Sequence, residues 1–134
     1  MSIDKEGKIK MENLKLEATK YTPEINFEVS GKLSLVGKSY PENTFEFYAP
    51  MMEWLELYFN ESAAETTIVN MEIIYFNSSS SKLFFDFFDL LEENSEDNKI
   101  EINWIYDEEN ESAEEAGEDF IEDFEDLNIK LVIK

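Results

Sequence analysis

The stretch that decides the fold is Thr66-Thr-Ile-Val-Asn-Met-Glu-Ile-Ile-Tyr-Phe76, which is β-branched, aromatic and apolar nearly throughout. Such a run is typical of a central strand that is covered on both faces. Asn77 and four serines, Ser78 to Ser81, interrupt it. The segment Lys82 to Asn94 then has apolar residues at helical spacing, namely Leu83, Phe87, Leu90 and Leu91. The sequence therefore predicts a buried strand, a polar junction and a helix.

Upstream of this strand, a shorter apolar alternation predicts a hairpin. Ile25, Phe27 and Val29 alternate with polar residues, Ser30-Gly31 interrupts the pattern, and Leu33 and Leu35 resume it. Two period-2 runs around a Ser-Gly pair are typical of antiparallel strands joined by a tight turn. We therefore expect a hairpin over residues 25–36.

The segment between the hairpin and the central strand predicts a helix that ends at about Asn60. Ser39 and Asn43 are alternative N-caps, and Pro50 removes an internal hydrogen bond, so a kink or restart is expected there. Its apolar residues form two ridges, more than one buried face needs. One ridge, together with two residues of the next helix, is either core or a partner surface: Phe47, Met51, Trp54, Tyr58, Phe84 and Phe88.

Downstream, strand and helix patterns alternate to the end of the chain. Residues 100–106 and 129–133 alternate as strands, and small and aromatic residues over 113–124 predict a helix that packs closely on a sheet. This order predicts an α/β layered domain with a mixed sheet, an N-terminal hairpin and three helices. We expect one domain over residues 13–134, preceded by a flexible tail over residues 1–12.

Composition excludes several classes of function. The chain has 134 residues, with 32 acidic residues against 11 lysines and a formal charge of -21. That balance argues against nucleic acids and anionic membranes, which bind cationic surfaces. The chain has no cysteine and no histidine, which removes the usual thiolate and imidazole chemistry and the usual zinc ligands. Neither a membrane span nor a signal peptide is visible, so we expect a cytoplasmic protein without cofactor or metal.

The serine junction, defined as residues 77–82, is the chemically distinctive segment. Helix N-termini have unpaired N–H groups and a positive dipole end, so they accept anions well. A phosphoryl group on Ser78 would add about -1.5 to -2 charges there, with Lys82 one turn away. The structural alternative is that Asn77 or a serine only caps the helix, and the two interpretations are compatible.

Several blocks of the sequence resemble the SiaC-type regulatory phosphoproteins. The blocks are Ser39-Tyr-Pro-Glu-Asn43, the spacing from Pro50 to Trp54, Tyr75-Phe-Asn-Ser-Ser-Ser-Ser-Lys82, Phe87-Phe-Asp-Leu-Leu-Glu92 and Trp104-Ile-Tyr-Asp107. More distantly, Asn77-Ser78-Ser79 before a helix is similar to the phosphoacceptor site of anti-sigma-factor antagonists with the STAS fold. Ser80 stands where those proteins usually have Gly, so this second likeness is one of layout.

The resemblance implies a STAS-like, non-enzymatic phosphoprotein of a partner-switching system. A dedicated kinase would phosphorylate Ser78, with Ser79 as second choice, and a PP2C-type phosphatase would reverse the reaction. The unmodified form would bind a diguanylate cyclase, which implies cyclic-di-GMP signalling and biofilm regulation. The resemblance also implies partner-binding roles for Tyr40, Glu42, Asn43, Asn77, Ser79 and Lys82. It does not predict the oligomeric state.

Four competing interpretations come from the same residues. Ser79 and Lys82 fit the S-x-x-K spacing of serine-acylating enzymes, but the companion motifs are absent. Residues 107–118 resemble a calcium loop, but Ser112 replaces the required glycine. Pairs such as Asp86 and Asp89 lack an accompanying nucleophile. The main alternative is an acidic binding module or nucleic-acid mimic that sequesters a basic protein without a phospho-switch.

Overall fold

The computed structural model describes residues 2–3 and 9–134. Of these, residues 2–3 and 9–10 are described by their backbone alone. The described chain forms eight strands, three α-helices and one π-helical turn at Tyr58–Ser62. The helices are α1 (Thr44–Leu57), α2 (Ser78–Asn94) and α3 (Glu111–Asp123). The strands are β1 (Ser2–Ile3), β2 (Ile9–Lys10), β3 (Leu14–Leu16), β4 (Glu24–Phe27), β5 (Lys32–Ser39), β6 (Thr66–Phe76), β7 (Lys99–Tyr106) and β8 (Asn128–Ile133).

Six strands form one mixed sheet in the order β3-β4-β5-β6-β7-β8. The β3-β4-β5 part is antiparallel, and β5 to β8 run parallel with one helix in each connection. The predicted α/β class, the hairpin over residues 25–36 and the three helices are therefore confirmed. Leu14–Leu16 adds an edge strand to the predicted set.

The sheet is covered by helices on one face only. Along β6 the buried residues alternate with half-buried ones, so only Thr67, Val69, Met71 and Ile73 face the core. Parallel strands that follow one another in order, joined by crossovers of the usual right hand, place every helix on the same side. The prediction that Thr66–Phe76 is covered on both faces is therefore wrong, because its half-buried positions face solvent across the sheet.

The apolar ridges of α1 and α2 fill the space between helices and sheet. Met51, Tyr58, Phe84 and Phe88 are fully buried, Trp54 is nearly so, and Phe47 is half-buried. The interpretation as core is therefore correct for the five buried residues, whereas half-buried Phe47 also lines the groove beside Tyr40, and its role in a partner surface stays a prediction.

Helix α1 begins after Asn43 rather than after Ser39. The Asn43 side chain accepts a hydrogen bond from the Glu46 amide at 3.2 Å, which makes it the N-cap, while Ser39 is the buried last residue of β5. The helix passes Pro50 without interruption. The helix therefore does not restart at Pro50, and a kink there stays a prediction.

Two glycines with positive φ shape the strand ends. Gly31 (φ +101°) turns the chain between β4 and β5, and a Cβ there would lie 2.5 Å from the Thr66 carbonyl oxygen. Gly37 (φ +136°) precedes a register shift between β5 and β6. Gly37 pairs with Ile73 and Lys38 pairs with Tyr75, so β6 has one extra residue, Ile74, at this point. Left-handed backbone of this kind is accessible mainly to glycine.

The predicted tail over residues 1–12 lies partly outside the described residues. Ser2–Ile3 and Ile9–Lys10 pair as short antiparallel strands. Met11 is buried in the core, and the Glu12 carbonyl accepts a hydrogen bond from the Trp54 indole at 2.8 Å. The chain is thus packed against the domain at Met11, and the flexibility of residues 1–12 stays a prediction.

Candidate modification site

The serine junction lies where two neighbouring parallel strands end. Ser39 ends β5 and is paired in register with Phe76, which ends β6. The Asn77 amide donates to the Ser39 carbonyl at 3.1 Å, and α2 begins at Ser78. Because ligand-binding and regulatory residues of α/β sheets collect at the carboxyl ends of the strands, this is the expected place for a site.

The serines of the junction differ in exposure. Ser78 is exposed, Ser79 and Ser81 are half-buried, and Ser80 is fully buried. Asn77 caps the helix by accepting from the Ser80 amide at 2.9 Å. Within residues 11–134, no side chain hydrogen-bonds to the Ser78 hydroxyl. Ser78 is therefore the hydroxyl most open to a modifying enzyme, and Ser80 is sealed.

A buried chain of hydroxyls lies beneath the junction. The Ser80 hydroxyl donates to the Ser39 carbonyl at 2.9 Å. Ser39 Oγ lies 2.7 Å from Ser80 Oγ and 2.6 Å from the Tyr48 hydroxyl. Burial raises the pKa of Tyr48 well above its usual value, so Tyr48 is neutral under ordinary conditions. This hydroxyl network ties α1, β5 and α2 together.

Ser79 links the starts of two helices. Its hydroxyl donates to Asn77 Oδ1 at 3.2 Å and lies 2.7 Å from Thr44 Oγ1, at the first residue of α1. The N-termini of α1 and α2 therefore meet at Ser79. Their dipoles place partial positive charge of two helices beside the junction.

The charge around Ser78 is unlike that of the rest of the protein. The first turn of α2 contains no acidic residue. Ser78, Ser79, Ser81 and the exposed Lys82 line a shallow depression of about 460 Å³. An added phosphoryl group would thus lie near a lysine and free helical amides, which favour its charge.

The residues assigned to a recognition edge lie beside the junction. Tyr40 is half-buried between Tyr21 and Tyr75, with ring centroids 5.3 and 5.6 Å away in edge-to-face geometry. Exposed Glu42 lines a groove of about 610 Å³ with Tyr40. The Asn43 side chain is engaged in capping α1, where it also donates to Glu46 Oε2 at 2.8 Å. Partner-binding roles for these residues stay predictions.

Sequence reasoning did not find the hydroxyl network or the neighbours of Tyr40. The sequence indicates Ser39 only as a possible helix cap and gives Tyr48 no polar role, because a serine or tyrosine has no local signal for a distant hydroxyl partner. Tyr21 and Tyr75 carried no assigned role. A usable signal was the placement of polar residues at the ends of two strands that follow one another in sequence.

The geometry gives little support to the competing interpretations of the sequence. Ser79 is bonded to Thr44 and Asn77, and Lys82 is exposed rather than held against it as a base. Residues Glu111–Asp123 are helical, so α3 occupies most of the candidate calcium loop. Among the described residues, no group of three or more acidic side chains is arranged to hold a metal ion. No helix in the described part of the chain is long and apolar enough to cross a membrane.

Comparison with known proteins matches this arrangement to one family. A family model for SiaC family regulatory phosphoproteins matches residues 16–134. The chain belongs to the SiaC family. This assignment confirms the resemblance found in the sequence, and the matched region includes the whole serine junction.

Relatives and solved structures support the same assignment over nearly the full chain. An uncharacterized protein of Pseudomonas aeruginosa strain UCBPP-PA14 is 34% identical over 115 residues, which cover 84% of this chain and 90% of that protein. Apo-SiaC from Pseudomonas aeruginosa superposes with a TM-score of 0.83 at 30% identity, covering 91% of this chain and 99% of that one.

A second solved structure shows a SiaC protein with a partner. It contains the diguanylate cyclase SiaD in complex with its activator SiaC from Pseudomonas aeruginosa. It matches with a TM-score of 0.82 at 31% identity, over 90% of this chain and 99% of that one. In that organism, a SiaC protein therefore regulates by binding another protein.

Proposed function

We propose that this protein is a non-enzymatic switch whose phosphorylation on Ser78 decides which protein it binds. The observation that carries the proposal is the exposed hydroxyl of Ser78 at the first position of α2, beside sealed Ser80. A kinase can reach this hydroxyl without unfolding the helix. Membership of a family of regulatory phosphoproteins supports the same role.

The proposed cycle has two enzymes and one target. A dedicated kinase esterifies Ser78, with Ser79 as second choice, and a PP2C-type phosphatase hydrolyses the ester. The unmodified form binds a diguanylate cyclase and so influences cyclic-di-GMP signalling and biofilm formation in the cytoplasm. The cyclase complex of the Pseudomonas relative supports this choice of target.

Charge explains why one state binds and the other does not. A phosphoryl group adds about two negative charges to a surface that has no acid in the first turn of α2. A target that contacts this surface through apolar or acidic groups then meets desolvation and repulsion. Couplings of this kind are typically about 1–3 kcal/mol, enough to exchange partners.

Peptide mapping tests the modification itself. In protein isolated from its native cell, we expect one phosphoryl group within residues 77–82, on Ser78. The phosphoryl group should be absent from a Ser78→Ala protein and present on Ser78→Thr, because threonine keeps the hydroxyl. A phosphoryl group that persists in the Ser78→Ala protein would contradict the assignment of Ser78 and would favour Ser79.

Binding measurements test the switch. We expect Ser78→Asp to bind the diguanylate cyclase of the same cell about fivefold or more weakly than wild type, at the low end of the usual coupling range. Ser78→Asn is the matched control, because it has the same size without the charge, and it should bind like wild type. Equal affinities of the Asp and Asn variants for the cyclase would contradict the charge mechanism.

One observation favours a second function, an acidic module that binds a basic protein. Helix α3 has seven acidic residues, which are Glu111, Glu114, Glu115, Glu118, Asp119, Glu122 and Asp123. A charged surface of this density can attract a basic partner or imitate a phosphate row. Competition by a polyanion for the partner, with no effect of the Ser78 variants, would favour this function over the switch.

A further inference from the structure

A groove of about 500 Å³ lies between α1 and the edge of the sheet. One wall is formed by Glu12 to Leu14, where β3 begins, and the other by residues between Pro50 and Asn60. It is called the edge groove. It shares no residue with the depression at the serine junction. The edge groove is therefore a second surface feature, separate from the proposed phosphorylation site.

The floor of the edge groove is apolar and held in place. Pro50 is exposed, and Leu14 and Leu57 are half-buried. The buried Trp54 ring lies beneath, where its indole donates to the Glu12 carbonyl at 2.8 Å and so ties the two walls together. A floor that is formed in advance binds apolar side chains with little cost of reorganisation.

The rim of the edge groove is acidic on both sides. Glu12 lies on one wall, and Glu53 and Glu56 lie on the other, and all three are exposed. Among the described residues, no lysine lines the groove. Carboxylates around an apolar floor complement positive charges that flank apolar side chains. The charge therefore indicates an occupant that is both basic and apolar.

The shape of the edge groove fits an extended chain. From Pro50 to Asn60 the helical wall is about 15 Å long, the length of about four or five extended residues. An α-helix of that length, about 10 Å wide, fills roughly 1,200 Å³, more than twice the volume of the groove. Within the described chain, β3 pairs with β4 alone, so its outer edge is free to bond to an extended backbone.

We propose that the edge groove binds an extended segment of a partner protein in which lysine or arginine alternates with apolar residues. Alternate side chains of an extended chain point in opposite directions. The apolar ones then contact the floor, and the long basic ones reach the carboxylates of the rim. This site goes beyond the proposed switch and does not depend on it, because Ser78 and α3 contribute nothing to the groove.

A synthetic heptapeptide, Lys-Leu-Lys-Val-Lys-Leu-Lys, tests the charge of the rim by calorimetry with the full-length chain. We expect the double variant Glu53→Gln, Glu56→Gln to bind it about fivefold more weakly than wild type, as for the loss of two exposed ion pairs. The matched control is Glu115→Gln, Glu118→Gln, an equal loss of charge at the same spacing on exposed positions of α3. Equal weakening by both double variants would reduce the binding to general attraction and overturn the proposal.

A second peptide tests the apolar floor without changing the protein. Serine replaces the leucines and the valine, so the charge is retained. We expect this peptide to bind about tenfold or more weakly, because three apolar side chains are lost. Equal affinities for the two peptides would contradict a role for the floor.

Nuclear magnetic resonance locates the bound peptide. In the labelled full-length chain, the first peptide should shift amide signals of residues 12–16 and 51–60, and leave those of residues 77–82 and 111–123 in place. Shifts centred on α3 or on the serine junction would overturn the assignment to the edge groove. Because Ser78 lies outside the groove, this failure would leave the phosphorylation proposal intact.

Two other occupants have distinct outcomes. Displacement of the peptide by an equal concentration of spermidine would assign the groove to a small organic cation. Dimers of the wild-type chain that the peptide dissociates, and that Glu53→Gln, Glu56→Gln does not form, would assign it to a second copy. Either result would overturn the proposal, whereas a monomeric chain that retains the peptide against spermidine supports it.

Discussion

At the scale of single residues, one short sequence of identical side chains serves different purposes. Ser78 is exposed, Ser79 bonds to Thr44, and Ser80 bonds to Ser39, although all three are serines at successive positions. Successive residues of a helix point about 100° apart, so a run at a helix start must divide between solvent and core. Composition alone therefore does not identify the modifiable hydroxyl, whereas the position within the first turn does.

The hydroxyl network predicts a dependence of stability on alkaline pH. Burial raises the pKa of Tyr48 in the folded state above its value in the unfolded chain. The folded state then holds its proton more tightly, so this contribution is complete below about pH 10, the usual tyrosine pKa, and is lost as the pH rises above it. We expect the free energy of unfolding, measured in urea, to fall less steeply above about pH 10 in Tyr48→Phe than in wild type.

An exposed tyrosine provides the comparison for this effect. Tyr21→Phe removes a hydroxyl from a ring that is 51% exposed and should leave the alkaline slope as in wild type. Indistinguishable slopes for wild type and Tyr48→Phe would show that the ionization of Tyr48 is not coupled to unfolding. Tyr48→Phe also leaves Ser39 Oγ bonded to Ser80, so the rest of the network has a partner.

At the scale of elements, helix α3 approaches the sheet closely at Gly117. A Cβ at this position would lie 2.5 Å from Trp104 Cδ1 and 2.5 Å from Leu131 Cδ2. The Trp104 indole also donates to the Ala113 carbonyl at 2.8 Å, so the ring is held against the helix. Helix α3 therefore needs a small residue here, because its backbone lies so close to β7 and β8 that a larger side chain does not fit.

Gly117→Ala should destabilise the fold although alanine is the better helix former. The helix propensity gained is about 1 kcal/mol, but overpacking of a closed core typically costs about 1–3 kcal/mol, and the buried Trp104 ring is held by its hydrogen bond to Ala113. We expect a lower urea midpoint for Gly117→Ala. Glu115→Ala, an exposed change in the same helix, should shift stability by no more than about 0.5 kcal/mol. A midpoint raised by Gly117→Ala would show that α3 moves freely away from the sheet.

The elements could be predicted from the sequence because their apolar spacing is local information. Phe87 and Leu91 predict α2, and Ile100, Ile102 and Trp104 predict β7, without knowledge of the rest. Which faces of the sheet the helices cover could not be predicted in this way, because it depends on the side of the sheet to which each crossover connection turns. The apolar run of β6 suggested two covered faces.

The side chains of the open face explain how the sheet remains exposed there. A polar row crosses the strands in register from Asn26 and Ser34 to Asn70, Asn103 and Lys130. Asn103 donates to Asn70 at 2.9 Å across the row. Single polar residues within apolar strands look like exceptions in the sequence, and only the register shows that they align.

At the scale of the whole molecule, the charge of -21 is distributed unevenly. Helix α3 is dense in carboxylates, whereas the open face of the sheet has the exposed lysines Lys15, Lys32 and Lys130. Among the described residues the structure shows one ion pair, between Lys134 and Glu72 at 2.8 Å. Most of the acidic side chains are thus balanced by solvent ions rather than by protein.

This imbalance predicts that salt stabilises the fold at neutral pH. Mutual repulsion of unpaired carboxylates opposes the compact state, and raising the salt from about 10 mM to about 150 mM shortens the screening length from about 30 Å to about 8 Å. We therefore expect the melting temperature at pH 7 to rise over this range of sodium chloride. The same salt step should have a smaller effect as the pH approaches the isoelectric point of about 4.1, because fewer carboxylates are then charged. A melting temperature that falls with salt at pH 7 would mean that attractive pairs outweigh repulsion, which the single ion pair of the described chain does not provide.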